Sequence, residues 1–192
     1  YSLATHPDKK LERTLDKMID QIGKLQRRDG YFNSHYIQVE MHNRWSNLRD
    51  KHELYGAGHL IEAAVAYFEV TGKRKFLDIM CRFADHIDAT FGSEPGKQRG
   101  SCGHQEIELA LVRLYRVTGE PRYLKLAHYF IEERGRGKAP WDDKVAGRGR
   151  NAHYYDLEAR ERGEDPAQFW AKTYEYLQAH APVREQAEVV GH

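Results

Sequence analysis

Val70-Thr71-Gly72 recurs as Val117-Thr118-Gly119, an offset of 47 residues, and the apolar residues around the two copies keep the same register. Leu60 matches Ile107, Ala63 matches Ala110, Phe76 matches Tyr123 and Phe83 matches Phe130. Before each Thr-Gly, apolar residues recur at helical spacing, as in Leu60, Ala63, Ala64, Tyr67 and Phe68. After it, a second stripe begins. Each unit therefore reads as two helices joined by a short turn, with Gly72 and Gly119 as C-caps. Such a hairpin cannot bury its apolar face alone and needs stacked neighbours. An open α-solenoid supplies them, and so does closure into a ring of hairpins. The repeat does not match the roughly 34-residue tetratricopeptide period.

The rest of the chain follows the same grammar. Leu11, Leu15, Met18, Ile19, Ile22 and Leu25 predict a helix ending before Asp29-Gly30. Phe76, Ile79, Met80, Phe83 and Ile87 predict another, as do Ile107 to Tyr115 and Tyr123 to Ile131. A sixth helix is expected from Asp165-Pro166, an N-cap followed by proline at the first helical position. A seventh is expected from near Pro182 to the last residue. Tyr36-Ile37-Gln38-Val39 is the one segment that reads as a short strand. The fold class is all-α. A ring of hairpins needs about twelve helices if it has six pairs, so residues 1–192 are expected to form an incomplete α/α toroid.

Composition narrows the partners. Hydrophobic residues make up 40% and charged residues 31% of 192, the balance of a globular domain. No apolar run approaches the roughly 18 residues that would cross a bilayer, and Tyr1 to Pro7 shows no signal-peptide pattern. Cys81 and Cys102 make no disulfide framework, which points to a reducing, cytoplasmic setting. A formal net charge of +1 gives no field for a polyanion, so neither nucleic acid nor membrane is expected as a partner. The basic stretch Arg134–Arg150 holds a single aromatic, Trp141, beside Asp142 and Asp143, and reads as a solvated surface loop.

Three histidine-bearing segments are candidates for chemistry, around His52, around His104 and at Gly191-His192. His52-Glu53-Leu54-Tyr55-Gly56 has glycine where a zinc-protease helix needs its second histidine. His104-Gln105-Glu106 lacks the later Pro-Cys-x-x-Cys of a zinc deaminase. What remains is that His52 and His104 each stand just before an apolar stripe, at the mouth of a hairpin. Imidazoles there can donate to and accept from sugar hydroxyls, or they can cap and pack their helices. Glu53 and Glu106 could form a glycosidase carboxylate pair if their separation suits it. Cys81 reads as an inert helix residue and Cys102 as a turn residue.

Several segments resemble the β-L-arabinofuranosidase family of glycoside hydrolases. They are Asp29-Gly30-Tyr31, Arg44-Trp45-x-Asn47-Leu48-Arg49-Asp50-x-His52-Glu53-Leu54-Tyr55, Gly58-His59-Leu60-Ile61-Glu62-Ala63-Ala64, Ala84-Asp85-His86-Ile87, Gly103-His104-x-Glu106-Ile107-Glu108 and Pro182-Val183-Arg184-Glu185-Gln186. The resemblance implies an (α/α)6 barrel followed by β-sandwich domains, and retaining hydrolysis of β-L-arabinofuranosides or related plant-derived sugars. It also implies a cysteine thiolate nucleophile held on zinc by cysteines and a glutamate, a second glutamate as acid/base, and self-association as a homo-oligomer through later domains. Cys81 and Cys102 do not match those motifs, so the nucleophile, zinc ligands and acid/base are expected beyond residue 192. No catalytic or metal-binding residue is assigned within this chain. Substrate contact does carry over, onto His52, His104 and His192. Another α/α-toroid sugar enzyme, such as an unsaturated-glycan hydrolase or an epimerase, and a non-catalytic helical-repeat binding module remain as alternatives.

Overall fold

A computed structural model describes residues 2–133 and 160–165. After a single turn, α1 (Ser2–Thr5), come α2 (Lys9–Leu25), α3 (Glu53–Thr71), α4 (Lys75–Thr90), α5 (Ile107–Thr118) and α6 (Pro121–Glu133). Asp8 opens α2 by accepting the Lys10 and Leu11 amides on Oδ1, at 2.7 and 3.1 Å. Gly72 and Gly119 close α3 and α5 in the left-handed region, at φ 72° and 73°, where a Cβ would be strained. Both hairpins therefore exist as the repeat predicts. The expected sixth and seventh helices and the Arg134–Arg150 stretch lie outside the described residues. Among those described, no helix is long and apolar enough to cross a membrane.

The expected strand at residues 36–39 is not one. Tyr36–Glu40 forms a π-helical turn, followed by a 3-10 turn at Met41–Asn43. Asn33 Oδ1 accepts the amides of His35 and Tyr36, which starts a helical turn instead of an extended chain. Tyr36 is buried while Val39 stays 69% exposed. No strand exists among the described residues to pair with it; one isolated bridge joins Phe91 and Gln98.

The hairpins α3–α4 and α5–α6 stand side by side, with α3 and α5 in contact as inner helices and α2 packed on α4. Helix α3 is buried on most of its circumference, through Leu54, Ala57, Ile61, Ala64, Val65 and Tyr67. A helix apolar nearly all round belongs in the interior. The shared core brings Ile61 and Val65 together with Leu77, Met80 and Ile87, and with Leu111, Leu114 and Phe130. Each such side chain contributes about 1.5–3 kcal/mol by leaving water. Arg113 fastens α5 to α3 through Glu62 and Glu69.

One part of the expected core is displaced. Leu60 is half-buried and Ala63 exposed, whereas Ile61, Ala64 and Val65 take the interior. Leu60, Ala63 and Val70 instead border an apolar groove of about 590 Å³, faced by Leu11, Leu15, Met18 and Ile22 of α2. On a helix with apolar residues on every side, spacing alone does not say which stripe points inward.

Candidate functional site

The two histidine segments meet at the N-terminal ends of the inner helices. His52 occupies the N-cap position of α3, yet its side chain makes no capping bond. Its backbone is left-handed, φ 55° and ψ 25°, a conformation that costs a non-glycine residue about 1–3 kcal/mol. The imidazole turns instead to His104, with the two Nε2 atoms 3.1 Å apart and the rings nearly parallel at 5.0 Å. Capping is thus not what His52 does. A hydrogen bond between two imidazole nitrogens needs one to donate and the other to accept, so the two rings take unlike roles in the pair.

The His104 segment is held by backbone contact. The Gly103 amide donates to the Leu48 carbonyl at 3.3 Å. A Cβ on Gly103 would lie 2.5 Å from the Arg49 carbonyl oxygen, so only glycine permits this approach of the two loops. Around the pair gather groups the sequence reading left out. Tyr55 lies 5.8 Å from His52 and 5.1 Å from His104 between ring centroids. His59 stands edge-on to Tyr55 at 4.4 Å and pairs with Glu106 at 3.1 Å. Residues 52, 55 and 59 are three and four apart, one face of a helix, and that spacing was the available signal.

Glu53 and Glu106 do not share a site. Glu106 faces His59. Glu53 is 2% exposed and accepts the Tyr31 hydroxyl at 2.5 Å and the Trp45 amide at 2.7 Å. Burial pushes its carboxyl up to about 7, against the pull of those donors. Trp45, left-handed at φ 62°, sends its indole N–H to His86 Nε2 at 3.4 Å. His86 Nδ1 faces the Asp29 carbonyl at 3.0 Å and so carries the ring proton. Burial holds His86 below the usual imidazole range, despite the Asp29 carboxylate nearby. This Tyr31–Trp45–Glu53–His86 network lies beneath the histidine pair and also went unread in the sequence.

Cys81 and Cys102 are free thiols; burial pushes Cys81 up, and Cys102 is fully buried. His192 lies outside the described residues. Among those described, no three His, Cys, Asp or Glu side chains converge to hold a metal ion.

Paired helices stacked about inner helices, with a polar histidine cluster at the inner mouths, define part of an α/α toroid of the glycoside-hydrolase type. The chain belongs to the β-L-arabinofuranosidase GH127 catalytic-domain family, whose pattern matches residues 1–192. It is 40% identical, along its whole length, to a non-reducing end β-L-arabinofuranosidase of Bifidobacterium longum subsp. longum. It spans 28% of that relative's length. Of solved structures, a GH127 β-L-arabinofuranosidase from Geobacillus stearothermophilus T6 superposes with a TM-score of 0.82 at 51% identity, over 96% of this chain and 27% of the other. A second GH127 β-arabinofuranosidase superposes at 0.67 with 32% identity, over 88% of this chain and 30% of its own. Family membership takes the place of the solenoid and of the other toroid enzymes as the frame for this site.

Proposed function

We propose that this chain supplies a sugar-binding wall of a retaining β-L-arabinofuranosidase, acting in the cytoplasm, and that it does not supply the nucleophile. One observation carries the reading. His52 sits at a helix N-cap, in a costly backbone conformation, with its imidazole aimed at His104 rather than at the helix. A residue kept in that state without capping is serving something outside the helix. The unlike donor–acceptor pair suits vicinal hydroxyls, and Tyr55 beside it offers an aromatic face for the C–H side of a sugar ring. His192 joins them as a third contact, by likeness to the family alone.

Among the described residues, no three His, Cys, Asp or Glu side chains converge to hold a zinc ion. The zinc ligands, the cysteine nucleophile and the acid/base glutamate belong, on this reading, to the remainder of the family's catalytic domain. What this chain's residues do is bind and orient. In the protein at its gene-encoded length, His52→Ala or His104→Ala should lower kcat/KM on an aryl β-L-arabinofuranoside by roughly ten- to a hundredfold. Zinc content should not change. If both variants stay within about twofold, the pair is structural and the proposal fails. The 192-residue chain by itself should show no turnover.

A further inference from the structure

Glu53 is the first residue of α3, next in the chain to His52. Its two carboxylate oxygens look inward, one to the Tyr31 hydroxyl and one to the Trp45 amide. Trp45 opens the loop that His52 ends. A carboxylate at the loop's far end therefore reaches back and ties its near end, closing residues 45–53 into a ring beneath the helix mouth. Among the described residues, the two left-handed ones other than glycine, Trp45 and His52, both fall inside that ring. Trp45 is gripped from several sides: its ring meets Tyr31 and Phe91, its indole reaches His86, and its carbonyl accepts the Gln98 amide at 3.0 Å. Among the described residues, the His52 ring makes its ring contacts with the other mouth residues, His104 and Tyr55. With no cap bond of its own, its backbone shape has to be imposed by the loop, which Glu53 fastens from within at the Trp45 amide, while Gly103 and Arg162 hold the Leu48 and Ser46 carbonyls from outside it.

We infer that Glu53 is a positioning residue, holding the 45–52 loop in the shape that turns the His52 imidazole toward His104, without touching sugar. The inference rests on the proposed sugar-binding role of the histidine pair. An acid/base role for Glu53 does not fit, because both oxygens are already engaged inside the core and the side chain is 2% exposed. A merely structural role would leave the histidine pair unmoved, and that is the point on which the two can be separated.

The test uses the protein at its gene-encoded length, with Glu53→Gln, Glu53→Ala, His52→Ala and the His52→Ala/Glu53→Ala double variant. Glutamine keeps one acceptor for the Trp45 amide, and the Tyr31 hydroxyl can turn to accept from its NH2. Glu53→Gln should therefore keep kcat/KM within about threefold, whereas Glu53→Ala, which orphans both donors, should lower it roughly tenfold or more, mainly through KM. Because Glu53 acts through His52, the double variant should be no more than about threefold worse than His52→Ala alone. Multiplied effects overturn the inference, and so does a Glu53→Gln as impaired as Glu53→Ala. Histidine side-chain 15N spectra decide the matter independently of turnover. The His52 and His104 resonances should shift in Glu53→Ala while that of His128 stays, and unmoved His52 and His104 signals overturn the inference. If His52→Ala proves fully active, the sugar-binding reading falls and the spectra alone judge the positioning one. Should Glu53→Ala fail to fold, Glu53→Asp replaces it, keeping a carboxylate but shortening its reach to the Trp45 amide. The same two resonances must then move, or the inference is overturned.

Discussion

The two hairpins are built on one repeat, yet their inner helices live in different surroundings. Ile107 and Ala110 of α5 are fully buried because α3 lies alongside. Their repeat partners Leu60 and Ala63 of α3 border the open groove instead. The same residue type at the same place in the unit is core in one copy and surface in the other. Their mouths differ as well. His104 follows His52 by 52 residues, not by the 47 of the repeat. The repeat partner of Glu53 is Gly100, and that of His52 is Arg99. Helix packing is thus a property of the repeated unit, while the candidate site is made by loops that do not obey the repeat.

The largest expected effect tests the packing half of this contrast. Ala110→Glu places a charge among fully buried neighbours and should cost about 4 kcal/mol or more, enough to unfold the chain. Ala63→Glu, its repeat partner, should change stability by about 0.5 kcal/mol or less in the 192-residue chain. Urea unfolding of the two variants reads the difference, and equal costs would mean that the groove is no groove. The apolar groove should also make the isolated chain self-associate, and Ala63→Glu should suppress that association in light scattering.

A second effect tests the mouths. Glu53 holds its proton more tightly in the folded chain than at its ordinary value of 4.5, up to about 7. The folded state is therefore favoured by low pH, and stability should fall as the pH climbs from about 4.5 to about 7, by something on the order of 3 kcal/mol. His86 acts the other way. Its proton is held less tightly than at the ordinary 6.5, so its contribution is complete above that pH and is lost as the pH falls below it. Glu53→Gln should remove the loss on the alkaline side of the stability profile and leave the His86 side in place. A profile unchanged by that substitution would show that the carboxyl is ionised at little cost, and would weaken the contrast with Gly100.

The smallest effect isolates the backbone. His52→Gly relieves a left-handed conformation that glycine adopts freely, at the price of a looser unfolded chain. The net gain in stability should be about 1 kcal/mol or less, while kcat/KM of the enzyme at its gene-encoded length falls. A destabilised His52→Gly would mean that the imidazole holds the fold together, not a ligand.

Much of this was legible in the residues themselves. Helices α2 to α6, their Thr-Gly turns, and the places of His52 and His104 each at the mouth of a hairpin follow from spacing, caps and motif likeness. Residues 36–39 read as a strand because Tyr, Ile and Val are residues that favour one. The Asn33 side chain that starts a helical turn there lies just before that segment. Glu53 was visible only as an acidic residue in a motif. That it is buried depends on Tyr31 and Trp45, which lie 22 and 8 residues away in the chain.

By itself the sequence determined that this chain forms paired helices, where those helices end, and which family it belongs to. The helices and their ends rest on local interactions: a 3.6-residue period and a glycine that tolerates positive φ. Only the tertiary structure decided which apolar stripe of α3 became core and which became groove. It also decided that His52 faces His104 and that one buried carboxylate ties the 45–52 loop that ends at His52. Those outcomes depend on which neighbour each face meets and on what desolvation then demands of the polar groups trapped there, and both are set by residues far apart in the chain.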